Sequence, residues 1–377
     1  MTWRRWTEEQ AAAIRDAGQW RAPRDFDAAG PAGKLPDGRH VVSFASNDYL
    51  GLTQHPDVIA AAHDALDRWG AGAGAARLIV GSRPVHSELE DELAAWKGTE
   101  AAVLFPTGFA TNLGVLTTFG GRGVTVLSDE LNHASIIDGC RLAHAHVEVY
   151  RHADAGHLSD LLAAAKGPCV VVTDRVFSMD GDVAPVAEVA DLCRRHGALL
   201  VLDEAHAVLE DDRDLNAAFD DVAVLRVGTL SKTLGALGGF VAGARSFTDL
   251  IVNRARSYIF TTASTPSDAA AALAALRVLR SDEGARLVQL LRASVHRLAP
   301  AHPSPIIPLV VGDEGAAVRV AGALLERGVL VPAIRPPTVP PGTSRLRVAL
   351  SASHTDKHLD DLIAGLDACW PPWRGRD

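Results

Sequence analysis

The stretch ALLVLDEAH, residues 198–206, decides the fold class. Leu199–Leu202 is an unbroken apolar run that ends on a carboxylate, Asp203. A strand covered by helices on both faces has this composition. Open α/β sheets place their ligands at the carboxyl ends of such strands, so Asp203 and His206 fall where a site belongs. Outward from this strand, short β-rich runs predict six more: Ala101–Phe105, Val124–Ser128, Val147–Tyr150, Cys169–Thr173, Val222–Gly228 and Gly239–Ala242. Helical segments such as Val85–Trp96, Ser159–Ala165 and Val186–His196 lie between them. The alternation predicts an α/β protein with a mostly parallel seven-stranded sheet.

The flanks differ from this core. Residues 1–40 read as a short amphipathic helix and a Gly/Pro-rich arm, and 41–266 as the large domain. Residues 267–377 read as a smaller α+β domain. It opens with helices Ser267–Ser281 and Glu283–Leu298, followed by strand Ile306–Val311 and helix Ala316–Arg327. Strands Val329–Ala333 and Arg345–Leu350 and a helix from Thr355 complete it. PPTVPPG (336–342) is predicted as a stiff loop, because its prolines remove sheet donors.

A second constellation, VLRVGTLSKTLGALGG (224–239), brings Thr229, Ser231 and Lys232 off a strand into a glycine-rich turn. Hydroxyls beside a lysine suit a phosphate plus an aldehyde, with Lys232 as covalent anchor. A carboxylate at Asp203 pairs with a pyridine nitrogen, and His206 reaches a phenolic oxygen. Together they describe a pyridoxal phosphate site. Taken singly, Asp203 reads equally as a helix cap, His206 as a structural residue and Lys232 as a solvated charge.

Three further segments fit the same ligand. In FPTGFATN (105–112), Thr107, Gly108 and Phe109 present backbone donors at a helix start. SDELNHAS (128–135) offers the His133 ring for stacking, against the alternative of an ordinary surface histidine. DRVFSMDGD (174–182) sets Ser178 beside an Asp-Gly turn, in which Asp180 and Asp182 could equally be turn formers alone. Arg345 and Arg347 share one strand face, where one could grip a carboxylate or both could be solvated edge arginines.

Composition narrows the class. A 47% hydrophobic chain with a formal charge of -9 is globular and carries no broad nucleic-acid surface. The cysteines Cys140, Cys169, Cys193 and Cys369 form no close pair, which suits reduced thiols and a cytoplasmic setting. The N-terminus lacks a secretory layout, and no apolar run is long enough for a membrane helix. His144, His146 and His152 have no ligand-spaced carboxylate or cysteine cluster, so no metal is expected. Phosphate-loop, dinucleotide and nucleophile-elbow motifs are absent from the sequence.

From SNDYLGL (46–52) to RPPTVPPGTSRLR (335–347), the chain resembles the α-oxoamine synthases, which are fold type I pyridoxal-phosphate transferases. FPTGFATN, LNHAS, VFSMDGD, LVLDEAH and GTLSKTLG carry the likeness by their order and spacing. The resemblance implies Lys232 as Schiff-base lysine, Asp203 at the pyridine nitrogen, His206 by the ring oxygen and His133 stacked on the ring. It implies Ser178, Thr229 and Ser231 in the cofactor shell and Asn47 and Arg347 at the substrate carboxylate. Thr262 would complete the phosphate site across a homodimer. PPTVPPGTSRLR looks most like the members that join L-alanine to a pimeloyl thioester, carried by CoA or an acyl-carrier protein. Glycine-using members, a transaminase or decarboxylase, and a non-enzymatic dimeric binding protein are the competing readings. Two stretches depart from the pattern: AHAVLEDDRDLNAAFDD (205–221) replaces a glycine-rich run, and GAGAAR (72–77) holds Ala75 and Ala76 in a turn that is usually rich in glycine and serine.

Overall fold

The structure is a computed structural model that describes residues 1–210 and 212–375. Its large sheet contains β1 (Ala101–Phe105), β2 (Thr125–Asp129), β3 (His146–Tyr150), β4 (Cys169–Asp174), β5 (Leu199–Asp203), β6 (Val224–Thr229) and β7 (Gly239–Gly243). Their spatial order is β1-β7-β6-β5-β4-β2-β3. Only β7 runs antiparallel to its neighbours. The seven-stranded, mostly parallel expectation therefore holds.

The apolar run in β5 is explained by its position. It lies between β4 and β6, and Leu200, Val201 and Leu202 are fully buried. Truncating any of them to alanine costs about 2–4 kcal/mol through lost transfer energy and an unfilled cavity. The helix Val186–His196 feeds this strand and ends because Gly197 adopts a left-handed conformation. Similarly, Pro84–Lys97 starts on proline, with His86 Nδ1 accepting from the Arg83 backbone N–H at 2.9 Å, ends at the left-handed Gly98, and buries Val85, Leu89 and Leu93 at four-residue spacing.

Helix Ala155–Ala164 begins a turn earlier than expected. Asp154 caps it, its Oδ1 accepting from the His157 backbone N–H at 2.8 Å, a contact that offsets the weak propensities of Gly156 and His157.

The smaller α+β part contains a three-stranded sheet in which Ser344–Ala349 lies between Ile306–Gly312 and Ala333–Ile334. The single strand expected over Val329–Ala333 is two strands on different sheets. Val329–Leu330 pairs in parallel with the N-terminal strand His40–Ser43, and Ala333–Ile334 pairs with Ser344–Ala349. Pro332, which has no backbone N–H to extend either ladder, lies at the break. The N-terminal helix Trp3–Asp16 buries none of its residues. No helix among the described residues is long and apolar enough to cross a membrane.

Candidate active site

Parallel strands bring their carboxyl ends to one edge of the sheet. Asp174 and Asp203 are register partners on β4 and β5, and Thr229 at the end of β6 faces Gly239 at the start of β7. The loops beyond these ends enclose a cavity of about 160 Å3. Thr107, Gly108, Phe109, His133, Ser178, Asp203, His206, Thr229, Ser231 and Lys232 all line it, so the segments singled out in the sequence converge.

Asp203 sits at its floor, 6% exposed. Its Oδ1 accepts from the Ala205 backbone N–H at 3.0 Å, and its Oδ2 from Asn112 Nδ2 at 2.7 Å. The same Asn112 nitrogen donates to Ser135 Oγ at 2.9 Å, and Ser135 Oγ lies 2.8 Å from His133 Nδ1. One chain of contacts thus orients the carboxylate and the neighbouring ring. Burial, followed by opposing Asp203 and reinforcing Lys232 charges, places the His133 pKa below the ordinary imidazole value. The His206 pKa is pushed well down by burial, with Lys232, Arg347 and His133 acting in the same direction. Both shifts favour the neutral imidazole.

Lys232 is held on a turn whose Gly235 has φ +60°, and a Cβ there would come within 2.6 Å of the Thr53 backbone nitrogen. Glycine therefore lets this loop approach the segment after SNDYLGL. Burial lowers the lysine pKa, opposed by Asp203 and Asp174 and supported by Arg347. A larger share of neutral amine results, which suits a nucleophile or base.

The opposite wall is polar and closely built. Thr107 caps the helix Gly108–Phe119, its side chain accepting from Ala110 N at 3.0 Å. Thr229 Oγ1 lies 2.8 Å from Ser231 Oγ. A Cβ on Gly239 would lie 2.6 Å from Gly108 N, so only glycine permits this approach to the helix start. Hydroxyls and a helix N-terminus on one wall suit a phosphate group.

Asn47 and Arg347 lie at the margin, joined by a 3.2 Å contact from Arg347 Nη2 to Asn47 Oδ1. Arg347 Nε also donates to the Ser178 carbonyl at 2.6 Å. The edge-arginine alternative is overturned: Ser344–Ala349 is a central strand, and Arg345 and Arg347 are 5% and 6% exposed. Arg345 pairs with Asp180, and Asp182 with His152, so both aspartates do more than form the turn. Thr262 is exposed and does not line the cavity.

Sequence reasoning did not single out Tyr49, Asn112, Ser135 or Asp174. All four lie within SNDYLGL, FPTGFATN, SDELNHAS or DRVFSMDGD, but what they meet is set by the fold, as with Tyr49 and His206 or Asn112 and Asp203. Asp174 is 4% exposed, lines the cavity, and has an Oδ2 with no hydrogen-bond partner among the described residues. Burial and then the Asp203 charge hold its carboxyl well above the ordinary range. Asn112 Oδ1 likewise has no partner among the described residues. A buried carboxylate, a buried lysine, two imidazole rings and a hydroxyl-rich helix start in one chamber fit pyridoxal phosphate.

Behind the site, Glu204 meets Lys97 at 2.9 Å, Arg175 at 3.1 Å and Arg226 at 2.6 Å. Arg77 in the GAGAAR stretch forms a fork on Glu90 at 3.0 and 2.9 Å, and Ala75 O accepts from Ala263 N. In the other departing stretch, Leu209 O accepts from Arg292, while residue 211 lies outside the described residues. His146 contacts Glu148, and His144 ends a helix in a left-handed conformation.

The fold and chamber define a fold type I pyridoxal-phosphate enzyme, and residues 39–366 match the aminotransferase class I and II family. The chain belongs to the α-oxoamine synthase family. It is 50% identical to an 8-amino-7-oxononanoate synthase of Anaeromyxobacter dehalogenans, with 92% of each chain covered. It is 49% identical to one from Methylobacterium sp. strain 4-46, covering 88% of this chain and 87% of that one. Among solved structures, a Sphingomonas wittichii serine palmitoyltransferase is 31% identical with a TM-score of 0.88, covering 98% of this chain and 97% of that one. An SPT with its PLP internal aldimine is 28% identical, with the same TM-score and coverage.

Proposed function

We propose that the protein is an 8-amino-7-oxononanoate synthase, condensing L-alanine with a pimeloyl thioester and releasing carbon dioxide and the thiol in biotin synthesis. The observation that carries this reading is the meeting of Asp203 and Lys232 in one chamber, beside the Asn47–Arg347 pair, in a chain half identical to such synthases.

Pyridoxal phosphate, when bound, supplies an electron sink for a carbanion at the amino acid's Cα. Lys232 would hold it covalently, Asp203 would face its pyridine nitrogen, and His133 and His206 would flank the ring. Thr107, Gly108, Phe109, Thr229 and Ser231 would bind its phosphate, with Ser178 beside the ring. Arg347 and Asn47 would orient the alanine carboxylate, setting the Cα proton toward the Lys232 amine as base. The neutral His133 ring would orient the thioester carbonyl. Carbon–carbon bond formation expels the thiol, and the alanine carboxylate then leaves as carbon dioxide.

A larger cavity of about 980 Å3 lies beside Asn47, lined by its neighbours Ser46 and Asp48 and by Arg21, Arg24 and Arg335. It is the candidate space for the acyl group, whether delivered on CoA or on an acyl-carrier protein. A homodimer is supported by exposed apolar side chains: Ile79 is 74%, Val80 68% and Phe260 70% exposed. The partner's Thr262 would then complete the phosphate site. A cytoplasmic setting is part of this reading.

The deciding assay crosses L-alanine and glycine with pimeloyl, acetyl and longer acyl thioesters, identifying products by mass and measuring thiol release. The expected product requires alanine and the pimeloyl thioester together. Preferential saturation by glycine would shift the reading to a glycine-using synthase. Product without a thioester would shift it to transamination or decarboxylation.

A further inference from the structure

The VFSMDGD turn, residues 176–182, is gripped from distant parts of the chain. His152 spans two carboxylates, with Nδ1 2.9 Å from Asp129 Oδ1 and Nε2 2.7 Å from Asp182 Oδ2. A ring that faces an acceptor at each nitrogen donates from both, so it is an imidazolium. Hydrogen bonds to Asp129 and then Asp182 raise its pKa to about 10, against the opposing effect of burial.

Asp129 is itself fixed, accepting from the Leu131 and Ala153 backbone N–H groups at 2.9 Å each. The His152 ring stands edge-on to Phe177, with centroids 4.3 Å apart. Phe177 N donates to Asp182 O at 3.0 Å, and Gly181 N to Phe177 O at 2.8 Å. A shift of Asp182 therefore moves the whole turn. On the turn's other side, the Ser178 carbonyl receives Arg347 Nε, while Asp180 pairs with Arg345.

We propose that His152 is a positioning residue for Arg347: the Asp129–His152–Asp182 clamp holds the turn so that the Ser178 carbonyl aims the guanidinium at the amino acid's carboxylate. Both ring nitrogens are engaged and the ring does not line the cavity, so proton transfer is not its task. A planar guanidinium loses its two-pronged grip when its Nε anchor moves, and small misplacements near a reacting centre are costly. The inference rests on the reading of Arg347 as the carboxylate-binding residue.

The test uses the protein loaded with pyridoxal phosphate. His152→Gln removes the charge and cannot bridge both carboxylates. Alanine binding, read from the cofactor's absorbance, is expected to weaken by about tenfold, while cofactor content and the thioester KM stay within about twofold. Asp182→Asn severs only the turn-facing contact and is expected to reproduce this split; it also serves if His152→Gln does not fold. Unchanged alanine binding in folded His152→Gln and Asp182→Asn overturns the clamp while Arg347→Lys still weakens it. Unchanged binding in Arg347→Lys overturns the reading of Arg347 and the clamp together. A parallel loss of cofactor, alanine and thioester affinity assigns His152 to general stability and also overturns the proposal.

Discussion

The Tyr49 hydroxyl lies 2.6 Å from Nδ1 of His206, although the two are 157 positions apart. The same hydroxyl donates to Asn47 Oδ1 at 3.1 Å, which uses its only hydrogen. Tyr49 therefore ties a cavity residue, His206, and Asn47 to one hydroxyl. Tyr49→Phe is expected to weaken alanine binding severalfold and to cost about 1 kcal/mol of stability. Absorbance titration and urea unfolding check the two effects; an unaltered alanine affinity would refute the coupling.

Lys232→Ala should fold and lose the covalent cofactor link. Borohydride reduction followed by peptide mass analysis reads this directly. Lys97 cannot readily take over, because it is 5% exposed and paired with Glu204 at 2.9 Å. Cofactor attached at another lysine in the wild-type protein would remove Lys232 from the reaction.

Asp203→Asn should leave the fold intact, since an amide oxygen can still accept from the Ala205 N–H. On the proposed reading, the variant has no negative charge to offer the pyridine nitrogen, and exchange of the alanine Cα proton in deuterated water should fall by about 100-fold or more. Exchange at the wild-type rate would mean that Asp203 serves only as a cap.

The parts of this architecture that were legible in the sequence are those written locally. Leu199–Asp203 and Val186–His196 were bounded correctly because an apolar run and an amphipathic helix meet at Gly197. Lys232, His133 and Asp203 stood out because each lies just beyond or at the end of a strand-like run. Asn112 did not, since its value lies in reaching Asp203, 91 positions away. From the strand pattern alone Arg347 reads equally as a carboxylate grip or a solvated edge residue, because no local pattern tells that a strand will be flanked on both sides. Val329–Ala333 looked continuous because its apolar side chains conceal the change of partner at Pro332.

Glu204 was passed over for a similar reason, as three cations reach it from Lys97, Arg175 and Arg226. Its carboxylate is 2% exposed, so solvent cannot replace it. Glu204→Gln should destabilise the protein by about 3 kcal/mol, read as a lower urea midpoint. A change below about 1 kcal/mol would show that these cations are held adequately without it.

The His152 clamp makes stability depend on pH in a defined direction. Its pKa rises from 6.5 to about 10 on folding, so the folded state holds this proton more tightly than the unfolded chain does. The stabilisation is full below pH 6.5, fades as pH climbs, and is gone above about pH 10. After allowance for the partly exposed Asp182, its pH-dependent part should amount to about 2 kcal/mol. Urea unfolding of wild type and His152→Gln at about pH 6, 8 and 10 isolates it, because other titrations are common to both proteins. The gap between them should narrow steadily with rising pH. A constant gap would mean that the ring between Asp129 and Asp182 carries no extra proton, and the clamp would then act by shape alone.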